Sequence, residues 1–180
     1  MNFETTEIEG LLICTPRVFP DARGYFFESF SLRELEAAVG HRLDFVQDNE
    51  SMSARGVIRG LHFQRAPHAQ DKLVRCTLGR ILDVAVDLRE GSPTFGRHLA
   101  VELSAENRRQ LFIPKGFAHG FSVLSPEAVL QYKCTAYYAP ESEDGIFYAD
   151  PSLGIDWRIS PEEAIVSPKD AARRPLCFSA

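Results

Sequence analysis

No stretch of the 180-residue chain runs through about 20 uninterrupted apolar residues, so nothing in it reads as a membrane span. Basic residues are in deficit: 20 Lys and Arg against 25 Asp and Glu give a net charge of -5, and a nucleic-acid binder needs a concentrated basic surface. Cysteine is sparse. Cys14, Cys76, Cys134 and Cys177 stand far apart, with no CxxC pair and no His at ligand spacing beside them. That pattern lacks the signature of a zinc cluster or a redox pair, and fits a reduced cytoplasmic chain that uses thiols as small apolar residues. The opening MNFETTEIEG is acidic, and no secretory h-region follows it. Repeats, low-complexity tracts and Ser/Gly linkers are missing too, so one domain over 1–180 is expected. What the chain does have is the means to bury a core: 44% hydrophobic residues, 13 of them Phe.

Helical periodicity is almost confined to Ser31–Val39. Ser31 can cap it, Glu34 completes a capping box, Leu32, Leu35 and Val39 share a face, and Gly40 ends it. The rest reads as short strands divided by Gly, Pro and Asp, the pattern of an all-β sandwich or barrel. Strands are expected over 56–64, 98–103, 110–113 and 129–136. The segment 72–88, KLVRCTLGRILDVAVDL, reads as a hairpin turning on Gly79-Arg80, with Leu78 opposite Ile81 and Val74 opposite Ala85. One face of it carries Leu73, Leu82, Val84, Val86 and Leu88, which must meet another sheet or subunit. The other carries Lys72, Val74, Cys76, Asp83, Ala85 and Asp87, and periodicity leaves open whether that face lines a pocket or meets solvent. Strict alternation puts Arg59 and His62 on opposite faces, but Gly60 between them marks a candidate bulge that would re-aim a side chain. From Asp150 onward, four prolines suggest an irregular tail wrapped on the domain.

Chemistry-bearing residues concentrate in RGLHFQ (59–64) and IPKGFAHGF (113–121). The second contains Pro-x-Gly-x-x-His, the second cupin motif, with His119 where a metal ligand would stand. The first reads His62-x-Gln64, without the His-x-His and following Glu of a cupin metal site. A metal site needs about three converging ligands, so a cupin-shaped barrel without a metal is the expectation. An imidazole can then act as a general base. His62 lies near Arg59 and Lys72 in sequence, and Tyr132 sits on a strand that could face the same cavity. A base, a phenolic acid and cations for an oxyanion make a proton-transfer site beside a carbonyl. Each residue alone is more often a satisfied core residue, and spacing does not show that they converge.

The whole chain resembles the dTDP-4-dehydrorhamnose 3,5-epimerase family. The resemblance runs through DARGYFFESF (21–30), FVQDN (45–49), GVIRGLHFQ (56–64), 70–96, IPKGFAHGF, YKCTAYYAPESEDGI (132–146), DPSLGIDW (150–157) and SPKD (167–170), in the family's order. It implies a cupin-type jelly roll that uses neither metal nor organic cofactor. It also implies inversion at C3 and C5 of dTDP-4-dehydro-6-deoxy-D-glucose. By the same resemblance His62 is the base, Asp170 its carboxylate partner, Tyr132 the proton donor and Lys72 the cation at the keto oxygen. Sugar and diphosphate contacts fall to Arg23, Glu28, Gln47, Asn49, Arg59, His119, Glu143 and Lys169, and Tyr138 stacks on thymine. Arg23 and Glu28 lie on a segment that the family donates to a neighbouring subunit, so a homodimer is implied. The chain departs from the family pattern at His98, Phe147, Tyr148 and Arg158, none of them a catalytic position. Two rival readings are a relative inverting only C3 or only C5, and a cupin that holds a nucleotide sugar without transforming it.

Overall fold

The computed structural model describes residues 1–176 and consists of two facing sheets. The first has six strands in the order β1 (Asn2–Thr5), β2 (Leu12–Thr15), β10 (Gln110–Ile113), β7 (Lys72–Leu78), β12 (Glu127–Cys134) and β5 (Gln47–Ala54). The second runs β13 (Glu143–Gly145), β6 (Val57–Gln64), β11 (Phe117–Val123), β8 (Arg80–Asp87) and β9 (His98–Ser104), with β14 (Ile165–Val166) parallel to β6. A hairpin of β3 (Phe19–Asp21) and β4 (Gly24–Phe26) pairs only with itself. The first helix, α1, spans Leu32–Val39 as the sequence predicts: the Ser31 hydroxyl accepts the Glu34 N–H, and Gly40 closes the helix in the left-handed region. The Glu34 carboxylate departs from the expected capping box and accepts from the amino terminus at 2.8 Å instead. A short second helix, α2, covers Pro168–Ala171. Cys177 lies outside the described residues; Cys14, Cys76 and Cys134 are buried and free.

The expected hairpin over 72–88 does not form. β7 pairs with β10 and β12, β8 with β9 and β11, and the two lie in different sheets. Gly79, at φ +72°, carries the chain from one sheet to the other rather than through a two-residue turn. Alternation reports which face a side chain takes, not which strand sits alongside, and both arrangements satisfy it here. In the sandwich, Val74 and Cys76 of β7 meet Ile81 and Ala85 of β8 in the inter-sheet core with Leu111, Phe121 and Leu130. The opposite face of β8, Leu82, Val84 and Val86, is covered by Leu153 and Trp157 of the tail. β8 is therefore buried on both sides, which explains its nearly continuous apolar run. Leu73 belongs to a third cluster with Leu12, Phe112 and Leu35 of α1. The open question about the face carrying charges resolves residue by residue: Val74, Cys76 and Ala85 are core, Asp83 and Asp87 are buried with partners, and Lys72 reaches the mouth of the sandwich.

The Gly60 bulge is present. His62 stands opposite His119 and Arg59 opposite Phe121, so Gly60 and Leu61 together face Gly120 alone. Gly60 takes φ +135°, and a Cβ there would come within 2.5 Å of the Gly120 Cα. The extra residue reverses the parity, so Arg59 and His62 share the inner face while Ile58 and Leu61 pack outward. The four departures from the family pattern pack away from the mouth. Phe147 and Tyr148 meet edge to face, and the Trp157 indole N–H donates to the Tyr148 carbonyl at 2.8 Å. Arg158, at φ +54°, pairs with Glu102, while His98 is half-buried in β9.

Candidate active site

Between the sheets, beyond the end of the apolar core, lies a cavity of about 340 Å³. Inward-facing positions line it: His62 and Gln64 from β6, Lys72 from β7, Tyr132 and Cys134 from β12, Gln47 and Asn49 from β5, and Glu143 from β13. Tyr138, Phe63 and Gln70 complete the wall. Alternation brings this about, because Lys72, Cys134 and Gln47 are successive cross-strand partners, as are Val74, Tyr132 and Asn49. His62 comes from one sheet and faces Lys72 and Tyr132 from the other.

His62 is oriented from behind. Its Nε2 lies 2.5 Å from Oδ1 of Asp170, and an ionised carboxylate only accepts, so Nε2 is the donor and Nδ1 has no hydrogen-bond partner among the described residues. Burial pushes the Asp170 carboxyl up, but the His62 hydrogen bond and charge, with a long contact from the Gly60 N–H, hold it below the ordinary range. Asp170 therefore stays an anion behind a half-buried ring. Lys72 makes no hydrogen bond or ion pair among the described residues. Its Nζ lies 5.9 Å from the centroid of the Tyr132 ring. Burial pulls its pKa down, and Cys134, Asp83 and Glu143 only partly restore it. A desolvated cation without a partner is primed for an anionic oxygen. Burial likewise raises Tyr132, with Arg59 opposing, so the phenol keeps its proton.

The remaining expected residues divide by position. Gln47 donates to Asn49 at 2.8 Å and accepts the Tyr138 N–H at 2.9 Å, and Asn49 reaches the Cys134 sulfur. The Tyr138 hydroxyl donates to Glu143 at 2.6 Å, which raises its pKa. Lys169 pairs with Glu143 at 2.7 Å. Arg59 borders the cavity rather than lining it, held by the Ser53 hydroxyl at 3.0 Å. His119 sits beside His62 in register, but its Nε2 donates to the fully buried Asp83 at 2.9 Å. Arg23 and Glu28 are exposed and away from this chain's own cavity, with Arg23 paired to Asp21. Among the described residues no group of three or more His, Cys, Asp or Glu side chains could hold a metal ion.

Sequence reasoning did not single out Phe63, Gln64, Gln70 or Cys134 as cavity residues. Gln64 and Cys134 follow from alternation two residues beyond His62 and Tyr132. Gln64 and Gln70 are spent on backbone: they bind the carbonyls of His68, Tyr137 and Ala136 and the Ala139 N–H, fixing the loop that carries Tyr138.

A family model described as dTDP-4-dehydrorhamnose 3,5-epimerase matches residues 5–177. The Escherichia coli (strain K12) dTDP-4-dehydrorhamnose 3,5-epimerase is 56% identical over 172 residues, covering 94% of this chain and 91% of that one. The dTDP-4-dehydrorhamnose 3,5-epimerase of Elizabethkingia anophelis superposes with a TM-score of 0.95 at 48% identity, covering 98% and 96% of the two chains. The Legionella pneumophila dTDP-6-deoxy-D-glucose-3,5-epimerase, solved with dTDP-4-keto-L-rhamnose, gives 0.92 at 52% identity over 97% and 92%. Fold and likeness together define a cupin-type jelly roll whose relatives are isomerases. The chain belongs to the dTDP-4-dehydrorhamnose 3,5-epimerase family.

Proposed function

We propose that this chain inverts C3 and C5 of dTDP-4-dehydro-6-deoxy-D-glucose, without metal or organic cofactor, by proton transfer through an enolate. The observation that carries this reading is the shared cavity. It holds an imidazole backed by a buried carboxylate, a phenol that keeps its proton, and an ammonium with no hydrogen-bond partner among the described residues. The C4 ketone acidifies the hydrogens on C3 and C5, so one base serves both carbons. His62 Nδ1 takes the proton from carbon, the electron pair moves to the keto oxygen, and Lys72 offsets the charge formed there. Tyr132 then returns a proton from the opposite face, and solvent resets both groups between the two inversions. One oxyanion donor of this kind contributes about 3–4 kcal/mol.

Gln47, Asn49, Arg59, His119, Glu143 and Lys169 would contact sugar and diphosphate, with Tyr138 stacked on thymine. The β3–β4 hairpin supports a homodimer. An isolated two-stranded hairpin is marginal in water, and this one exposes Phe19, Tyr25 and Phe26 while pairing with neither main sheet. Donated to a neighbour, it would bring Arg23 and Glu28 to that subunit's cavity. Three free buried thiols among the described residues suit a reducing, cytoplasmic setting.

Turnover of the 4-keto sugar nucleotide in deuterated water, followed by NMR, tests the reading. Deuterium at both C3 and C5 is expected. Label at one carbon would make the chain a single-position epimerase. A protein that binds dTDP yet exchanges neither hydrogen would be a binding module.

A further inference from the structure

Asp170 must stay within hydrogen-bond reach of His62, yet it rides on a short helix with little apolar anchorage of its own. α2 is four residues long, and its one buried side chain is the Asp170 carboxylate itself. No apolar residue of α2 is buried in the core. Upstream it is joined through the two-residue strand β14 on β6, whose Val166 packs against the outer core, and through the Ser167 cap. Polar contacts fix its position, among them the exposed Lys169–Glu143 pair.

Arg173 supplies one. Its backbone N–H donates to the Asp170 carbonyl at 3.2 Å, and its guanidinium reaches back to β13, 2.9 Å from Glu143 Oε1 and 3.4 Å from Asp144 Oδ1. The side chain is 16% exposed, whereas Lys169, the other cation on Glu143, is 61% exposed. A sheltered, two-pronged guanidinium pair outweighs a solvated lysine contact. β13 is in turn bonded to β6, with Gly145 opposite His62. Gly145 leaves room for the passage, since a Cβ there would lie 3.0 Å from Arg173 Nε. The contacts close a ring from His62 through β13 and Arg173 to Asp170 and back to His62. Without the guanidinium, Lys169 of α2 still reaches Glu143, but through an exposed ammonium, and Asp144 keeps the exposed Arg65, so the sheltered link between α2 and β13 is lost.

We infer that Arg173 is a positioning residue, tying α2 to β13 and thereby setting the His62–Asp170 contact on which the base depends. The inference rests on the proton-transfer reading above. Its test compares wild type, Arg173→Met and Arg173→Lys in kcat, KM, dTDP affinity, thermal melting and the downfield proton NMR signal of the His62–Asp170 hydrogen bond. Arg173→Met should lose at least about tenfold in kcat, in line with the sensitivity of rates to ångström misplacement. Its dTDP affinity should stay within about twofold, its melting should stay cooperative, and the downfield signal should be lost or moved upfield; Arg173→Lys should recover part of both. A kcat within about twofold of wild type, or a lower kcat with the signal unchanged, overturns the inference. Should Arg173→Met not fold, Arg173→Lys decides. One ammonium cannot bridge both carboxylates, so a reduced rate with a displaced signal supports the role, and a wild-type rate and signal refute it. If wild-type protein does not turn over the sugar nucleotide, the proton-transfer reading fails, while the signal still reports on the latch.

Discussion

Asp170→Asn isolates what the buried carboxylate does for the imidazole. Asparagine keeps the shape at a site only 5% exposed, so packing is preserved and the charge alone is removed. Two outcomes bracket the cost. If the amide oxygen takes the place of Oδ1, now 2.5 Å from Nε2, the tautomer survives but the charge-assisted bond becomes a neutral one. A hydrogen bond to a charged group contributes about 1.5–3 kcal/mol, so kcat falls roughly 10- to 150-fold. If the amide N–H₂ turns toward the ring, Nε2 must accept, the proton moves to Nδ1, and the nitrogen facing the cavity is no longer a base. Loss of the correct tautomer costs about 10⁴-fold in the Ser-His-Asp enzymes. The expected kcat is therefore lower by between about 10- and 10⁴-fold, with dTDP affinity unchanged. Initial rates coupled to an NADPH-dependent reductase of the product measure the first, and calorimetric titration the second. A kcat within threefold of wild type would refute the claim that Asp170 orients the base.

Lys72→Met should lower kcat by about 10²- to 10³-fold, the scale of one oxyanion donor, while leaving the melting temperature unchanged or higher because a partnerless desolvated ammonium is removed. A lowered melting temperature would show that Lys72 is structural. Asp87 has no solvent exposure and accepts from Arg89, Ser92 and Thr94, contacts that outweigh burial and hold its carboxyl far below the ordinary range. A depressed folded-state pKa gives stability that is present above the unfolded value of about 4 and lost as pH falls below it. Melting temperature should therefore drop as pH falls through the carboxylate range, and Asp87→Asn should be less stable at pH 7 with a flatter acid limb; parallel curves for the two proteins would contradict this. Gly79→Ala forces a side chain into φ +72° and against the Glu127 carbonyl, and should destabilise by about 1–3 kcal/mol in denaturant titration. An unchanged midpoint would argue for an ordinary turn at that point.

Local features were the most legible in the chain. The cap residues of α1 act within a few positions of one another, and the strands holding His62, His98, Gln110 and Tyr132 showed in their apolar patterns and punctuation. Partnership did not show, because the period of two that places Val74 and Ala85 inward is the same whether β7 and β8 lie side by side or face to face. β5 was invisible for another reason: QDNESMSA is an edge strand with polar residues on both faces, and hydrophobic patterning has nothing there to report. At the site, residue types and the Gly60 bulge could be read directly, while the roles of Asp170 and Glu143 came through family resemblance. Their convergence needs two sheets, a bulge and a tail, and no spacing rule spans the 108 positions between His62 and Asp170. Arg173 gave no signal because its partners lie about 30 residues upstream on a three-residue strand.

The proton-transfer mechanism depends on where the hexose sits, and a crystal structure with the bound 4-keto sugar nucleotide measures that directly. His62 Nδ1 and the Tyr132 hydroxyl should lie on opposite faces of the ring, within about 3.5 Å of the carbons or hydroxyls they serve, with Lys72 Nζ at hydrogen-bond distance from the keto oxygen. A sugar ring outside the space between β6 and β12, or with both groups on one face, would contradict it.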